Sequence, residues 1–148
     1  MYKATSMLKI IFKSLLIILI FSNSALAEIV KKLEITGNKR ITSQSISVLG
    51  GISLNKEYDE LKLNSVLKKL YNTNFFNNIN LSIENSVMKI DVIENPIIEN
   101  IEITGIKNKN FLKSINDQMI LKDRMSFTEA QFSRDLNIIK NIFKSSRY

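Results

Sequence analysis

The sequence contains an internal repeat, and this repeat constrains the fold more than any other feature. The segment LEITG at positions 33–37 returns as IEITG at positions 101–105. In each copy apolar and polar residues alternate, as in a half-buried strand, and a glycine follows where a turn can take positive φ. Self-similarity at a fixed spacing indicates a repeated structural unit. We therefore interpret the chain as two small units, residues 28–95 and 96–148, behind a leader.

Residues 1–27 have the pattern of a secretory signal peptide. Lysines precede an apolar run at positions 10–21, and the small residues Ala25 and Ala27 match a signal-peptidase site. Cleavage there makes Glu28 the first mature residue. The alternative is an uncleaved membrane anchor. We favour cleavage because a spanning helix needs about 20 apolar residues, and this run has twelve positions, of which Lys13 is one.

The first unit is predicted to be α+β in the order strand, helix, helix, strand, strand. Residues 29–36 alternate as a strand, Thr42 or Ser43 can cap a short helix that ends at Gly50-Gly51, and Asp59 can cap a helix over 60–72. The period then changes to two in a hairpin over 79–92, with its turn at Asn85-Ser86. This order predicts a three-stranded mixed sheet covered by two helices. The second helix carries one apolar stripe, formed by Leu63, Val66, Leu67, Leu70 and Tyr71.

The second unit repeats the first part of this order after Pro96, which we interpret as a rigid joint. We expect a strand over 98–104, a loop over 107–110 and a short helix containing Phe111, Leu112, Ile115 and Met119. Ser126 and Glu129 have capping-box spacing for a long helix with the buried stripe Phe132, Leu136, Ile139 and Phe143. No closing hairpin follows, so we expect the second unit to be truncated and the protein to be longer.

The composition argues against an enzyme and against a nucleic-acid protein. The chain has no histidine and no cysteine, which removes Ser/His and Cys/His catalysis, disulfides and the commonest transition-metal ligands. The carboxylates Asp59 and Glu60 suit a helix start better than catalysis. Basic residues outnumber acidic ones by 21 to 14 but are scattered, and Gly50-Gly51-Ile52-Ser53 lacks the GXXG loop of a KH domain. We predict no cofactor, no metal and no nucleic-acid partner.

Three motifs carry a resemblance to a known family. They are ITGNKRI at 35–41, LYNTNFF at 70–76 and VIENPII at 92–98. In this order after a signal peptide they resemble the polypeptide-transport-associated (POTRA) modules of outer-membrane protein assembly factors. Asn74 stands where the family usually has glycine, and asparagine is a residue that tolerates the left-handed conformation.

The resemblance implies a location, partners and a binding mode. The modules would lie on the periplasmic side of the outer membrane, ahead of the protein's own C-terminal β-barrel. They would receive unfolded outer-membrane proteins and hold accessory lipoproteins. Clients would add a strand to the second strand of the sheet, with the first helix as the wall of a groove, so that proline at position 80 or 82 would remove a donor and weaken binding. The residues of this predicted edge are Asn78, Ile79, Asn80, Leu81, Ser82 and Ile83.

The sequence also fits other interpretations. The modules also suit a secretion pore that exports one dedicated substrate, or a cell-division protein with one such module on an uncleaved anchor. The first unit alternatively only spaces or orients its neighbours. Phe75 and Phe76 are expected to be buried rather than to form a stacking platform. We interpret the loop 38–40 as solvated charge rather than as an anion site.

Overall fold

The computed structural model describes residues 27–145. The signal-peptide prediction rests on residues 1–26 and lies outside this range. Within the described range, no helix has both the length and the apolarity needed to span a membrane. The elements are β1 (Glu28–Val30), β2 (Lys32–Thr36), α1 (Ser43–Gly50), β3 (Lys56–Tyr58), α2 (Glu60–Tyr71), β4 (Phe76–Glu84), β5 (Val87–Glu94), α3 (Lys109–Gln118) and α4 (Glu129–Ser145).

A mixed three-stranded sheet forms the centre of the first unit, as predicted. Its order is β2-β5-β4, with β2 parallel and β4 antiparallel to the central strand β5. The β4–β5 hairpin turns through Asn85 and Ser86. Their φ angles of 53° and 64° are both positive, as in the two-residue turn whose twist matches that of the flanking strands. The predicted alternation is correct, because Ile79, Ile90 and Val92 all face the buried side.

The predicted first strand is divided in two. β1 pairs antiparallel with β3, whereas β2 pairs parallel with β5. The chain changes partner at Lys31, where the N–H groups of Lys31 and Lys32 both donate to the Ser86 carbonyl, at 2.8 and 3.2 Å. Two consecutive donors on one acceptor break the alternation of a ladder. The three-residue strand β3 was not predicted, since it is too short to show a period.

Helices α1 and α2 begin as predicted, and α2 ends at Tyr71, one residue before its predicted end. Thr42 caps α1 by accepting from the Ser45 N–H, Asp59 caps α2 by accepting from the Lys62 N–H, and Gly51 ends α1 in the left-handed conformation at φ 67°. The core beneath them has these buried members: Val30, Ile46, Ile52, Tyr58, Val66, Leu70, Phe76, Ile79, Met88, Ile90 and Val92. The prediction that Tyr71 belongs to the buried stripe of α2 is wrong, since this residue is 41% exposed.

Gly37 shows why the repeated motif ends in glycine. Its φ is 78°, and a β-carbon there would lie only 2.1 Å from the carbonyl oxygen of Val92 in β5. A side chain would therefore push β2 away from the central strand. Gly105 has the same conformation, with φ 83°, but its β-carbon would meet nothing within 4 Å. The two glycines thus share a backbone geometry and differ in what lies beside it.

The predicted strand over 98–104 does not form. Residues 98–104 form no β-bridge with any other described residue, and the isolated bridge next to them joins Ile97 to Ser126. A strand needs a neighbour to accept and donate its backbone hydrogen bonds, and the described chain offers no counterpart of β5 here. The prediction was wrong because alternation reports a surface that suits a sheet, not the presence of a partner.

The start of the second unit nevertheless repeats the β1–β3 ribbon. Arg124 donates its N–H to the carbonyl of Ile98 at 2.8 Å, just as Asn55 donates to Val30 at 2.7 Å. Both donors have positive φ, 67° for Arg124 and 59° for Asn55. The repeat therefore extends to loop geometry that the sequence comparison did not reveal.

Both helices of the second unit depart from prediction at their ends. α3 is capped by Asn108 and already includes Lys109 and Asn110, which we had placed in a loop. The residue that caps α4 is Thr128 and not Ser126, since its hydroxyl oxygen accepts from the Gln131 N–H at 3.2 Å. Ser126 is instead buried in the ribbon, where its backbone pairs with Ile97.

The predicted stripe of α4 is only partly buried. Phe132 and Leu136 are 42% and 39% exposed, while Ile142 and Asp135 are the buried residues of this helix. The Asp135 carboxylate accepts from the N–H groups of Ile120 and Leu121, at 2.7 and 2.8 Å. It thereby satisfies the backbone donors that follow α3. Because charged side chains are rarely buried, the pattern had not predicted this position.

Candidate functional site

The open edge of β4 is the candidate binding site. β5 is the single sheet neighbour of β4 in the described part of the chain, so the other side of this nine-residue strand has no strand partner there. The opposite edge, β2, has five residues, and two of them, Lys32 and Glu34, form an exposed ion pair at 2.8 Å. Charged side chains on an edge discourage pairing with another chain. β4 is thus the longer and less charged edge.

The hairpin register determines which backbone groups of β4 point outward. In an antiparallel pair closed by a two-residue turn, Glu84 and Val87 form a hydrogen-bonded pair, and the pattern alternates from there. Ser82 and Asn80 therefore bond inward to β5, whereas Ile79, Leu81 and Ile83 direct N–H and C=O away from the sheet. The Ile79 N–H supports this assignment, because it donates to the Tyr71 hydroxyl at 3.0 Å, outside the hairpin.

The hairpin register shows that Asn80 and Ser82 are not the positions at which proline would remove an outward donor. Proline at position 80 or 82 removes an N–H that bonds to β5, so it breaks the hairpin and leaves the outer donors in place. The residues whose outward donors are not already bonded within the described chain are Leu81 and Ile83. The expectation based on Asn80 and Ser82 was wrong because alternation in sequence identifies a face of a strand but not the direction of its N–H groups.

The wall beside this edge is α2 and not α1. α2 packs against β4, whereas α1 packs against α2. Tyr71, the last residue of α2, reaches the edge itself. Along β4 itself the side chains of Leu81 and Ile83 are half-buried, so part of their apolar surface is open beside the edge. The prediction that the first helix forms the wall of the groove is therefore wrong.

The six predicted site residues divide between the two faces of the sheet. Ile79, Leu81 and Ile83 face the helices, and Asn78, Asn80 and Ser82 face the open side. Asn80 and Ser82 line a shallow hollow of about 240 Å³ on this open face. The structure thus brings the predicted residues together as one strand edge with an apolar and a polar side.

Charged pairs occupy the remainder of the open face. The Thr36 hydroxyl donates to the Asp91 carboxylate at 2.9 Å, and Lys89 pairs with Glu84 at 2.6 Å. The hydrogen bond to Glu84 raises the pKa of Lys89 above its ordinary value. On β2 the hydrogen bond from the Lys32 ammonium lowers the pKa of Glu34. These pairs make the part of the open face around Lys89 and Asp91 polar, whereas Ile93, which lies opposite Asn78, is 56% exposed on the same face.

A carboxylate clamp holds the end of the sheet nearest the second unit. The Glu94 Oε1 accepts from the N–H groups of Lys39, Arg40 and Ile41, at 2.7, 2.9 and 3.0 Å. Its Oε2 lies 3.0 Å from the Arg40 Nε. Burial by itself raises the pKa of Glu94, but the three backbone donors and Arg40 outweigh it and lower the pKa below its ordinary value.

The same clamp anchors the joint between the units. Arg40 Nη2 donates to the carbonyl of Asn95 at 2.7 Å. The side-chain amide of Asn95 donates to the carbonyl of Asn74 at 2.9 Å, and the backbone N–H of Asn95 donates to the carbonyl of Phe75 at 2.8 Å. Asn74 has φ 59°, the left-handed conformation predicted for it. The interpretation of loop 38–40 as solvated charge is therefore wrong for Arg40. A glutamate two residues before the proline was the signal that sequence reasoning missed.

An open hollow lies beside the clamp. Its volume is about 550 Å³, and Arg40, Val48, Leu49 and Phe75 are among the residues that line it. Phe76 is buried, as predicted, while Phe75 is half-buried. Within residues 27–145 no group of three or more metal-ligating side chains comes together.

Comparisons with known proteins agree with this architecture. No family model matches the chain. It is 24% identical over 130 residues to the outer membrane protein assembly factor BamA of Neorickettsia risticii (strain Illinois), a match that covers 87% of this chain. The chain spans 17% of the length of that relative.

Solved structures give the fold. POTRA1-3 of the periplasmic domain of Omp85 from Anabaena superposes with a TM-score of 0.55 at 10% identity, over 82% of this chain and 52% of that one. The N-terminal domain of Omp85 from Thermosynechococcus elongatus gives 0.55 at 10% identity, over 80% and 52%. POTRA1-2 from Anabaena gives 0.53 at 12% identity, over 84% and 83%. The chain is thus similar to BamA in sequence, and its fold is that of POTRA domains.

Proposed function

We propose that this chain is a periplasmic scaffold of the machinery that assembles outer-membrane β-barrel proteins, and that it receives unfolded outer-membrane proteins by strand addition at β4. The observation that carries the proposal is the open edge of β4, where Leu81 and Ile83 direct backbone donors and acceptors outward. An extended client segment pairs with such an edge through its main chain. The POTRA fold and the similarity to BamA support the location on the periplasmic side of the outer membrane.

The edge suits a receiver of many different clients. Main-chain hydrogen bonds read little sequence, and only the half-buried side chains beside the edge select for apolar residues at alternate positions. Two residues offer four hydrogen bonds, each with a net contribution of about 1 kcal/mol, against an association cost of about 4 kcal/mol or more. Binding is therefore weak and reversible, which suits a component that passes clients onward.

We further propose that residues 96–148 are an incomplete second module. The open space at Gly105 supports this, because its counterpart Gly37 lies against the Val92 carbonyl of β5. The exposed apolar side chains of Phe132 and Leu136 on α4 also support it. The accessory lipoproteins and the protein's own C-terminal β-barrel are further partners of the proposed machinery. The scaffold role requires no catalytic residue.

A titration followed by nuclear magnetic resonance tests strand addition. The ¹⁵N-labelled chain from Glu28 onward is titrated with a nine-residue peptide that alternates apolar and polar residues, as a barrel strand does. We expect the amide signals of Leu81 and Ile83 to shift the most and to become protected from exchange, while β2 stays unchanged. A peptide of the same composition with two prolines in its centre is the control. Shifts confined to α1, or no shifts with either peptide, would contradict client binding at β4 and leave a spacer role.

A further inference from the structure

Tyr71 occupies one of the backbone groups that the β4 edge directs outward. Its hydroxyl oxygen accepts from the Ile79 N–H at 3.0 Å and lies 3.5 Å from Oδ1 of Asn78. Among the three outward N–H groups of the edge, the one nearest the start of β4 is therefore already bonded. An incoming strand finds its ladder shortened by one donor at this end.

Core packing does not account for this contact. Tyr71 is 41% exposed and does not belong to the hydrophobic core. It nevertheless reaches from the last residue of α2 to the strand edge. Phenylalanine would give the same ring packing without the hydroxyl. The feature that distinguishes tyrosine here is the bond to the Ile79 N–H.

We propose that Tyr71 sets the register in which a client strand pairs with β4. This inference rests on the proposed strand addition and deepens it. Backbone pairing reads no sequence, so a bound strand can slip by two residues and keep its apolar face inward. A slip toward Phe76 now meets an occupied donor at Ile79. At the other end the turn at Asn85 and Ser86 ends the ladder.

The site therefore accepts a short extended segment in one position. Its main chain pairs with Leu81 and Ile83, and with the carbonyl of Ile79. Its alternate side chains lie beside the half-buried Leu81 and Ile83 on the helix side, where apolar residues fit, and beside Asn80 and Ser82 on the polar side. The matching partner is a peptide of about five extended residues with apolar side chains at every second position.

The test compares Tyr71→Phe with the unchanged chain. The variant keeps the ring and frees the Ile79 N–H for the client. One additional hydrogen bond makes peptide binding about two- to tenfold tighter. With a nitroxide at one end of the nine-residue peptide, we expect relaxation of amide signals at one position of β4 in the unchanged chain. In Tyr71→Phe we expect relaxation at two positions separated by two residues.

Tyr58→Phe is the matched control. The Tyr58 hydroxyl accepts from the Ser53 N–H at 2.9 Å and lies in the core, away from the β4 edge. Its loss is expected to leave peptide affinity and register unchanged. If the peptide binds β4 in one register with equal affinity in both Tyr71→Phe and the unchanged chain, the inference is overturned while the proposed function stands. If neither protein binds the peptide, the proposed function fails and the inference fails with it.

Discussion

Glu94 binds Arg40 across the end of the sheet, with 3.0 Å between Oε2 and Nε, and so joins two motifs that lie more than fifty positions apart in sequence. The side chain of Glu94 is 6% exposed. Its other oxygen holds three backbone N–H groups of the loop that contains Arg40. Two of the three motifs that carry the resemblance to POTRA modules, 35–41 and 92–98, are therefore joined by one structural contact.

Glu94→Gln is expected to destabilise the first unit by about 2–3 kcal/mol, because charge-assisted hydrogen bonds become neutral ones and Arg40 loses its counterion. Urea unfolding at pH 7 measures the change. Glu34→Gln is the control, since Glu34 makes only an exposed ion pair with Lys32. Equal stability of the Glu94 and Glu34 variants would contradict a structural role for the clamp.

The clamp also predicts how stability depends on pH. The folded-state pKa of Glu94 is lowered from 4.5, so the unfolded state binds the proton more readily. Its contribution is complete above pH 4.5 and is lost as the pH falls through the lower, folded-state pKa. Urea midpoints at intervals between pH 7 and pH 3 should therefore fall more steeply at the acid end for the unchanged chain than for Glu94→Gln. Parallel curves would show that the carboxylate does not titrate in this way.

Gly37→Ala and Gly105→Ala form a matched pair. Both residues have positive φ, which costs alanine about 1–2 kcal/mol. Only the β-carbon at Gly37 also meets the Val92 carbonyl, 2.1 Å away, so we expect its total cost to exceed about 3 kcal/mol. Chemical denaturation measures the free energy of unfolding of each variant. Hydrogen exchange of the β5 amides then shows whether the loss is located at the central strand. A larger loss in Gly105→Ala would contradict the role of the Val92 carbonyl and would mean that the space beside Gly105 is filled in the folded protein.

Asp135→Ala is expected to cost about 2–4 kcal/mol in the second unit, because the N–H groups of Ile120 and Leu121 lose their acceptors in a buried site. Hydrogen exchange at those two amides should accelerate. Asp117→Ala is the control, since Asp117 makes only an exposed ion pair with Lys113. Unchanged protection of Ile120 and Leu121 in Asp135→Ala would show that other groups hold this loop.

Proline substitutions along β4 distinguish outward from inward donors. Ile83→Pro removes an outward N–H at an edge, where proline is tolerated, so we expect a folded hairpin with weakened peptide binding. Ile83→Ala controls for the lost side chain. Ser82→Pro removes a donor to β5 and is expected to unfold the hairpin, visible as loss of β5 amide protection. Retention of the hairpin in Ser82→Pro together with its loss in Ile83→Pro would reverse our assignment of the edge.

Local signals in the sequence were sufficient for much of the first unit. The caps at Thr42 and Asp59, the left-handed Gly51 and Asn74, and the hairpin all depend on residues within a few positions of one another. The α2 stripe was correct except at Tyr71, which is 41% exposed and whose hydroxyl accepts from the Ile79 N–H at the strand edge. The β4 edge was correctly located as a strand, but the direction of its donors required the register with β5.

The sequence by itself determined the repeat, the helices and the hairpin of this protein, because periodicity, caps and turn residues act over short distances. Tertiary structure decided which segments found a partner. The strand 29–36 divided because β1 pairs with β3, while Lys31 and Lys32 both donate to the Ser86 carbonyl. The similar segment 98–104 formed no strand because no described strand lies beside Gly105. The tertiary structure also decided the roles of the buried carboxylates of Glu94 and Asp135, since each accepts from backbone donors that only the fold brings to it.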